Sequence, residues 1–258
     1  MIRVTFLGTA AVVPDGGHDS ASFVINGHCL VDTGWYSAIK MRQYGLNPLD
    51  IDTLIFTHFH HDHYIGLPQI LFYRAMRAGE RPGLPPLKIV GPAEDLERVV
   101  GLAKQLLQPD RFPEMNLSVE LLPLKPGETM ALGDLRLETC SSLHPVPGLC
   151  YRVTDQVTGT TLAFTGDTAY HPPVVELARG ASLLIHEASY GAKAAPASNP
   201  SLHSGAPDAA RVAVEAGVGR LALIHGLKER QGEAVAAARA IFPNTFWPED
   251  GETVSLEP

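Results

Sequence analysis

The chain has 258 residues, 45% of them hydrophobic and 19% charged, with a net charge of −8. That balance suits one globular domain, residues 1–258, and no apolar run approaches the ~20 residues of a membrane span. The acidic surplus argues against a broad nucleic-acid surface, which is ordinarily basic.

Residues 2–7 alternate apolar and polar side chains and predict a strand, with no charged-then-apolar leader before it; a cytoplasmic protein is expected. Residues 22–26 and 29–32 predict a hairpin across Gly27-His28. Asp32 ends the second arm and either orients a neighbouring imidazole or closes an Asx-type turn. His18 and His28 read as surface loop residues. A helix is expected over 35–45, a buried strand over 53–56, and a continuous helix from Tyr64 to about Arg77. Beyond a Pro/Gly-rich loop at 79–86, strand 87–90 and helix 93–107 follow. Strands are expected at 118–122, 128–132 and 135–141, then a hairpin of 149–154 and 160–165. A short helix at 172–178, strand 183–185, a loop at 192–204, helix 207–216, strand 221–224, helix 233–241 and a strand near 253–256 complete the chain. The three cysteines, Cys29, Cys140 and Cys150, form no CxxC pair and read as buried thiols.

The densest chemistry is Thr57-His58-Phe59-His60-His61-Asp62-His63, directly after an apolar strand. In extended backbone, residues i and i+2 project to one side, so His58 and His60 could share a metal ion. Asp62 and His63 would project from the following helix start toward a second point. Imidazole and carboxylate suit zinc and similar divalent ions. Downstream, His144, Asp167 and His225 each stand just beyond an apolar, β-rich stretch, where each could reach the same sheet edge.

His58-x-His60-x-Asp62-His63 resembles the HxHxDH signature of the metallo-β-lactamase fold superfamily. The resemblance implies an α/β, four-layer αβ/βα sandwich. It implies His58, His60 and His144 on one ion, Asp62, His63 and His225 on the other, and Asp167 between them. Phe6–Ala11, Leu30–Gly34, Phe164–Thr168, Leu184–Ala188, His203-Ser204-Gly205 and Pro248–Gly251 narrow the likeness to the ribonuclease Z-like branch, which includes small phosphodiesterases. What the resemblance implies is a dinuclear metal-dependent phosphodiesterase, with zinc or manganese, a small or cyclic phosphodiester substrate and a homodimer. Metal-activated water would attack phosphorus, Asp62 would hold that water, and His203 would protonate the leaving oxygen, oriented by Glu187 or His186. Gly205 departs from the branch, whose HST-like segment has Thr there.

The tRNA-processing members carry a long tRNA-gripping arm between the positions matching His144 and Asp167. Here those residues stand only 23 positions apart, and a hairpin fills the gap. A tRNA partner is therefore not expected. The alternatives are a tRNA 3′ endonuclease lacking the arm, a thioesterase or lactonase, and a non-catalytic carrier on the same fold.

Overall fold

Strands that read as unbroken apolar runs, such as Leu183–Ile185, must be covered on both faces. A computed structural model, describing residues 1–257, meets that demand with two stacked sheets and two helical layers. The first sheet contains β1 (Ile2–Gly8), β2 (Ser22–Ile25), β3 (Cys29–Val31), β4 (Thr53–Ile55), β5 (Leu87–Pro92) and β6 (Val119–Leu124). The second contains β7 (Thr129–Leu132), β8 (Leu135–Ser141), β9 (Leu149–Asp155), β10 (Thr161–Phe164), β11 (Leu183–Glu187), β12 (Leu221–Ile224) and β13 (Thr245–Phe246). The last strand, β14 (Thr253–Leu256), returns to the first sheet beside β1, giving the order β14-β1-β2-β3-β4-β5-β6. The second sheet runs β13-β12-β11-β10-β9-β8-β7.

Phe6, Phe23, Leu137, Tyr151, Phe164 and Ile185 fill the space between the sheets. Leu54, Phe56 and Ile89 face outward from the first sheet, under α1 (Ser37–Gln43), α3 (Leu67–Arg77) and α4 (Leu96–Leu106). Leu184, Leu221 and Leu223 do the same on the second sheet, under α5 (Pro172–Ala178), α6 (Ala206–Ala216) and α7 (Gln231–Arg239). The result is the αβ/βα sandwich. Among the described residues, no helix is long and apolar enough to cross a membrane.

The continuous helix expected over 64–77 is broken. One turn, α2 (His61–Tyr64), ends before Gly66, and α3 starts at Leu67. A Cβ at Gly66 would lie 2.8 Å from the Thr33 carbonyl oxygen, so only glycine lets the break press against the Asp32-Thr33-Gly34 turn. This contact sets Asp62 and His63 against the end of β3. The helices over 35–45 and 93–107 are also shorter than expected, and the last begins earlier, at Gln231. The two-residue β13 carries too little pattern to read from sequence.

Candidate dinuclear metal site

All seven imidazole and carboxylate candidates converge at one edge of the sandwich. His58 follows β4, Asp62 and His63 sit on α2, His144 follows β8, Asp167 follows β10 and His225 follows β12. His58, His60, His144 and Asp167 form one group whose ligand atoms all lie within 4.8 Å of one another; Asp62, His63 and His225 form a second. Asp167 Oδ2 lies 3.5 Å from His58 Nε2 and 3.5 Å from His63 Nε2, so this carboxylate spans the two groups. His225 Nε2 is 3.2 Å from Asp62 Oδ2, and His144 Nε2 is 3.0 Å from His60 Nδ1. His58, Asp62, His63, Asp167 and His225 are buried and the His144 side chain is only 1% exposed, whereas His60 and His203 are half-buried.

The electrostatics favour cations here. Burial works against every charge in the site, yet the carboxylates of Asp167 and Asp62 push His225 up to about 9. Burial likewise opposes a charged His63, but Asp167 and Asp32 push it well above its usual value. Burial opposes ionised Asp167 too, yet the surrounding imidazoles of His225, His63 and His58 hold it well below the carboxylate range. His63 Nε2 and Asp167 Oδ1 are buried with no hydrogen-bond partner. Buried polar atoms normally have partners, so these two point to a ligand. The nitrogen and oxygen donors, with no thiolate, fit two borderline-to-hard divalent ions such as zinc or manganese.

Two buried carboxylates orient the imidazoles, each gripping one ring directly and one through a hydroxyl. The Nδ1–H of His63 donates to Asp32 Oδ2 at 2.8 Å. Thr57 Oγ1 donates to the same oxygen at 2.8 Å and accepts from His58 Nδ1 at 3.1 Å. On the other side, His203 Nδ1 donates to Glu187 Oε1 at 2.8 Å. Ser189 Oγ donates to Glu187 Oε2 at 2.6 Å and accepts from His225 Nδ1 at 2.9 Å. For His63, His58 and His225 these bonds fix the tautomer and turn Nε2 toward the site, as such outer partners do for metal-binding histidines. Asp32→Asn is expected to weaken metal affinity about 10–100-fold, measured by competition with a chelator. Unchanged affinity would leave Asp32 with the turn-closing role alone. Ser189→Ala is expected to cost about 10-fold in affinity for the ion beside His225.

Backbone strain accompanies this arrangement. Asp32 and His225 have φ of 50° and 59°, the left-handed region that non-glycine residues seldom occupy. Gly166 has φ of 60°, and a Cβ there would lie 2.5 Å from Thr57 Cβ. The turn presenting Asp167 thus rests directly on the residue that couples His58 to Asp32.

Glu187, not His186, faces His203. The two alternate along β11, and His186 turns its Nδ1 to the Glu187 carbonyl at 2.9 Å. Asn199 further anchors the His203 carbonyl through its Nδ2, at 2.8 Å. The glycine at position 205 has a steric cause: a Cβ there would fall 1.7 Å from the Lys193 carbonyl oxygen. Sequence reasoning missed Thr57, Ser189 and Asn199. Ser189 lies two residues beyond Glu187, a faint signal; Thr57 and Asn199 gain meaning only from contacts made in space.

Comparison with known proteins agrees with this geometry. The profile of the beta-lactamase superfamily domain matches residues 28–226. Ribonuclease Z of Geobacillus kaustophilus (strain HTA426) is 30% identical over 308 aligned positions, covering 99% of each chain. Ribonuclease Z of Methanothermobacter thermautotrophicus is 28% identical, covering 100% of this chain and 97% of that one. The crystal structure of the metallo-beta-lactamase fold protein YhfI from Bacillus subtilis superposes with a TM-score of 0.82 at 22% identity, covering 98% of each chain. The chain belongs to the metallo-β-lactamase superfamily and, within it, to the ribonuclease Z-like branch. It is a metal-dependent hydrolase with the α/β sandwich of that superfamily.

Proposed function

We propose that the chain is a single hydrolase domain, residues 1–258, that cleaves a small or cyclic phosphodiester at two metal ions. The observation that carries this reading is the carboxylate of Asp167 between two imidazole groups, 4.0 Å from a histidine backed by Glu187. His58, His60 and His144 would hold one ion, Asp62, His63 and His225 the other, and Asp167 both. When bound, the ions neutralise phosphate oxygens and lower the pKa of a shared water toward ~7. Asp62 would orient such a water for attack in line with the leaving group. His203, anchored through Nδ1, presents Nε2–H to the departing oxygen. Burial opposes its charge, but the Glu187 hydrogen bond and carboxylate raise its pKa above the usual value and keep the proton available.

The connection from His144 to Asp167 is filled by β9 and β10, which supports a substrate smaller than tRNA. The net charge of −8 supports the same reading. Exposed Leu143 and Leu227, next to the loops bearing His144 and His225, favour a substrate with an apolar or aromatic portion. The names of the relatives favour a second reading, tRNA 3′ processing. Against it, both alignments run to 308 positions while this chain has 258 residues, so each relative carries segments absent here.

We also place the protein in the cytoplasm and read it as a homodimer. Ile39 on α1 and Phe72 and Met76 on α3 line an exposed apolar groove of about 490 Å³, a face suited to a second copy. Light scattering showing a monomer would refute the dimer.

The deciding experiment counts zinc, manganese and iron per chain. It then measures hydrolysis of bis(p-nitrophenyl) phosphate, cyclic nucleotides and precursor tRNA, with Asp62→Ala as control. Near two ions per chain and Asp62-dependent cleavage of small diesters is the expected result. Preferential 3′ cleavage of precursor tRNA would establish the second reading instead. Two ions with no phosphodiester hydrolysis would sink both.

A further inference from the structure

Two cysteines outside the metal groups are brought face to face by the fold. Cys140 on β8 and Cys150 on β9 are direct cross-strand partners. Residues so opposed on an antiparallel pair have Cα atoms about 4.5–5.5 Å apart and side chains on one face. That separation falls within the range of about 4.4–6.8 Å that a disulfide spans. Both side chains pack with the layer beneath α5 and α6. Both are free thiols, Cys150 buried and Cys140 half-buried. Cys150 Sγ donates a hydrogen bond to the Thr165 carbonyl at 3.2 Å. Thr165 is itself buried and stands two residues before Asp167, at the start of the turn that rests on Thr57.

We propose that Cys140 and Cys150 are a modification site: a low-molecular-weight disulfide oxidises them to a reversible cross-strand disulfide, and its closure loosens the turn that carries Asp167. Cys140, the more accessible sulfur, loses its proton to solvent and attacks one sulfur of the incoming disulfide, expelling one thiolate. Cys150 then attacks Cys140 Sγ, its proton passing to solvent, and expels the second thiolate. Two protein thiols are oxidised and one small disulfide is reduced. The adjoining Cys140 thiol, together with burial, holds the proton on Cys150 well above its usual range. Capping Cys140 removes the first of these restraints, so the order of attack follows from the packing. A disulfide sulfur has no proton to give, so closure takes the Cys150 donor from the buried Thr165 carbonyl. A labile disulfide of this kind suits the reducing compartment in which the protein is placed.

Zinc-loaded protein would be treated with oxidised glutathione, alkylated, digested and weighed. The expected product joins the Cys140 and Cys150 peptides, lighter by two hydrogens and separated again by dithiothreitol. Cys29, enclosed between the sheets, stays free and serves as an internal control. Zinc release to a chromogenic chelator should accelerate about 10-fold on oxidation, the low end for disturbing the surroundings of a ligand. Cys140→Ser should abolish both effects. A stable glutathione adduct on Cys140 without cross-linking, or thiols that remain free, would overturn the disulfide. A cross-linked chain releasing zinc as slowly as the reduced one would overturn the coupling to Asp167.

Discussion

His203→Ala is expected to slow phosphodiester hydrolysis roughly 10²–10⁴-fold, the range for losing a positioned general acid, while the chain keeps its full metal content. The geometry separates these two outcomes. His203 lies close enough to Asp167 and His225 to form a third possible metal group. Yet the nitrogen that approaches Asp167, at 4.0 Å, is Nδ1, and this atom already donates to Glu187 at 2.8 Å. Acting as a ligand through that nitrogen would break the bond that fixes the ring. The role proposed for it is donation from Nε2 to a leaving oxygen. Metal analysis beside single-turnover kinetics decides: a variant that loses an ion assigns His203 to the ligand set. Substrates with a good leaving group should suffer less from the change, because they need less help from an acid.

Asp167→Ala is expected to remove at least one ion and to cost more than the ~10²–10³-fold typical of deleting one electrostatic stabiliser. Its two oxygens are the only carboxylate atoms in the site that reach toward His58, His63, His144 and His225 together. Removing it therefore weakens both groups, where loss of an outer partner such as Asp32 weakens the orientation of rings that still reach the metal. Asp167→Asn, nearly the same shape, separates lost charge from lost packing. Retention of both ions in Asp167→Ala, read by metal analysis on folded protein, would refute the bridging role. Comparing the two variants also tests the electrostatic account, since the neutral amide no longer favours positive charge at His63 and His225.

The site was legible in sequence to the extent that its residues follow strands or share a short motif. His58, His60, Asp62 and His63 lie within six consecutive positions, so local periodicity alone brings them together. His144, Asp167 and His225 each terminate an apolar stretch, which makes them candidates only beside the His58–His63 motif, because strand ends in a layered sheet meet at one edge. The outer supports were not legible in this way. Thr57 is an ordinary hydroxyl after a strand until Asp32 arrives from β3 across a parallel pairing. Ser189 is likewise ordinary until β11 and β12 set His225 beside it. The helix break at Gly66 was hidden because both halves carry helical periodicity, and the break is imposed by a close approach to Thr33.

The sequence by itself determined the layered α/β class, the candidate imidazole and carboxylate ligands and the short connection between His144 and Asp167. These depend on side-chain periodicity and chain length, which are local quantities. Only the tertiary structure decided that Glu187 and not His186 holds His203, that two carboxylates each orient two imidazoles, and that Cys140 opposes Cys150. Those facts depend on which face of a strand a residue occupies and on the register between strands. A shift of one residue in register would turn every side chain to the opposite face, so no count of residue types could supply them.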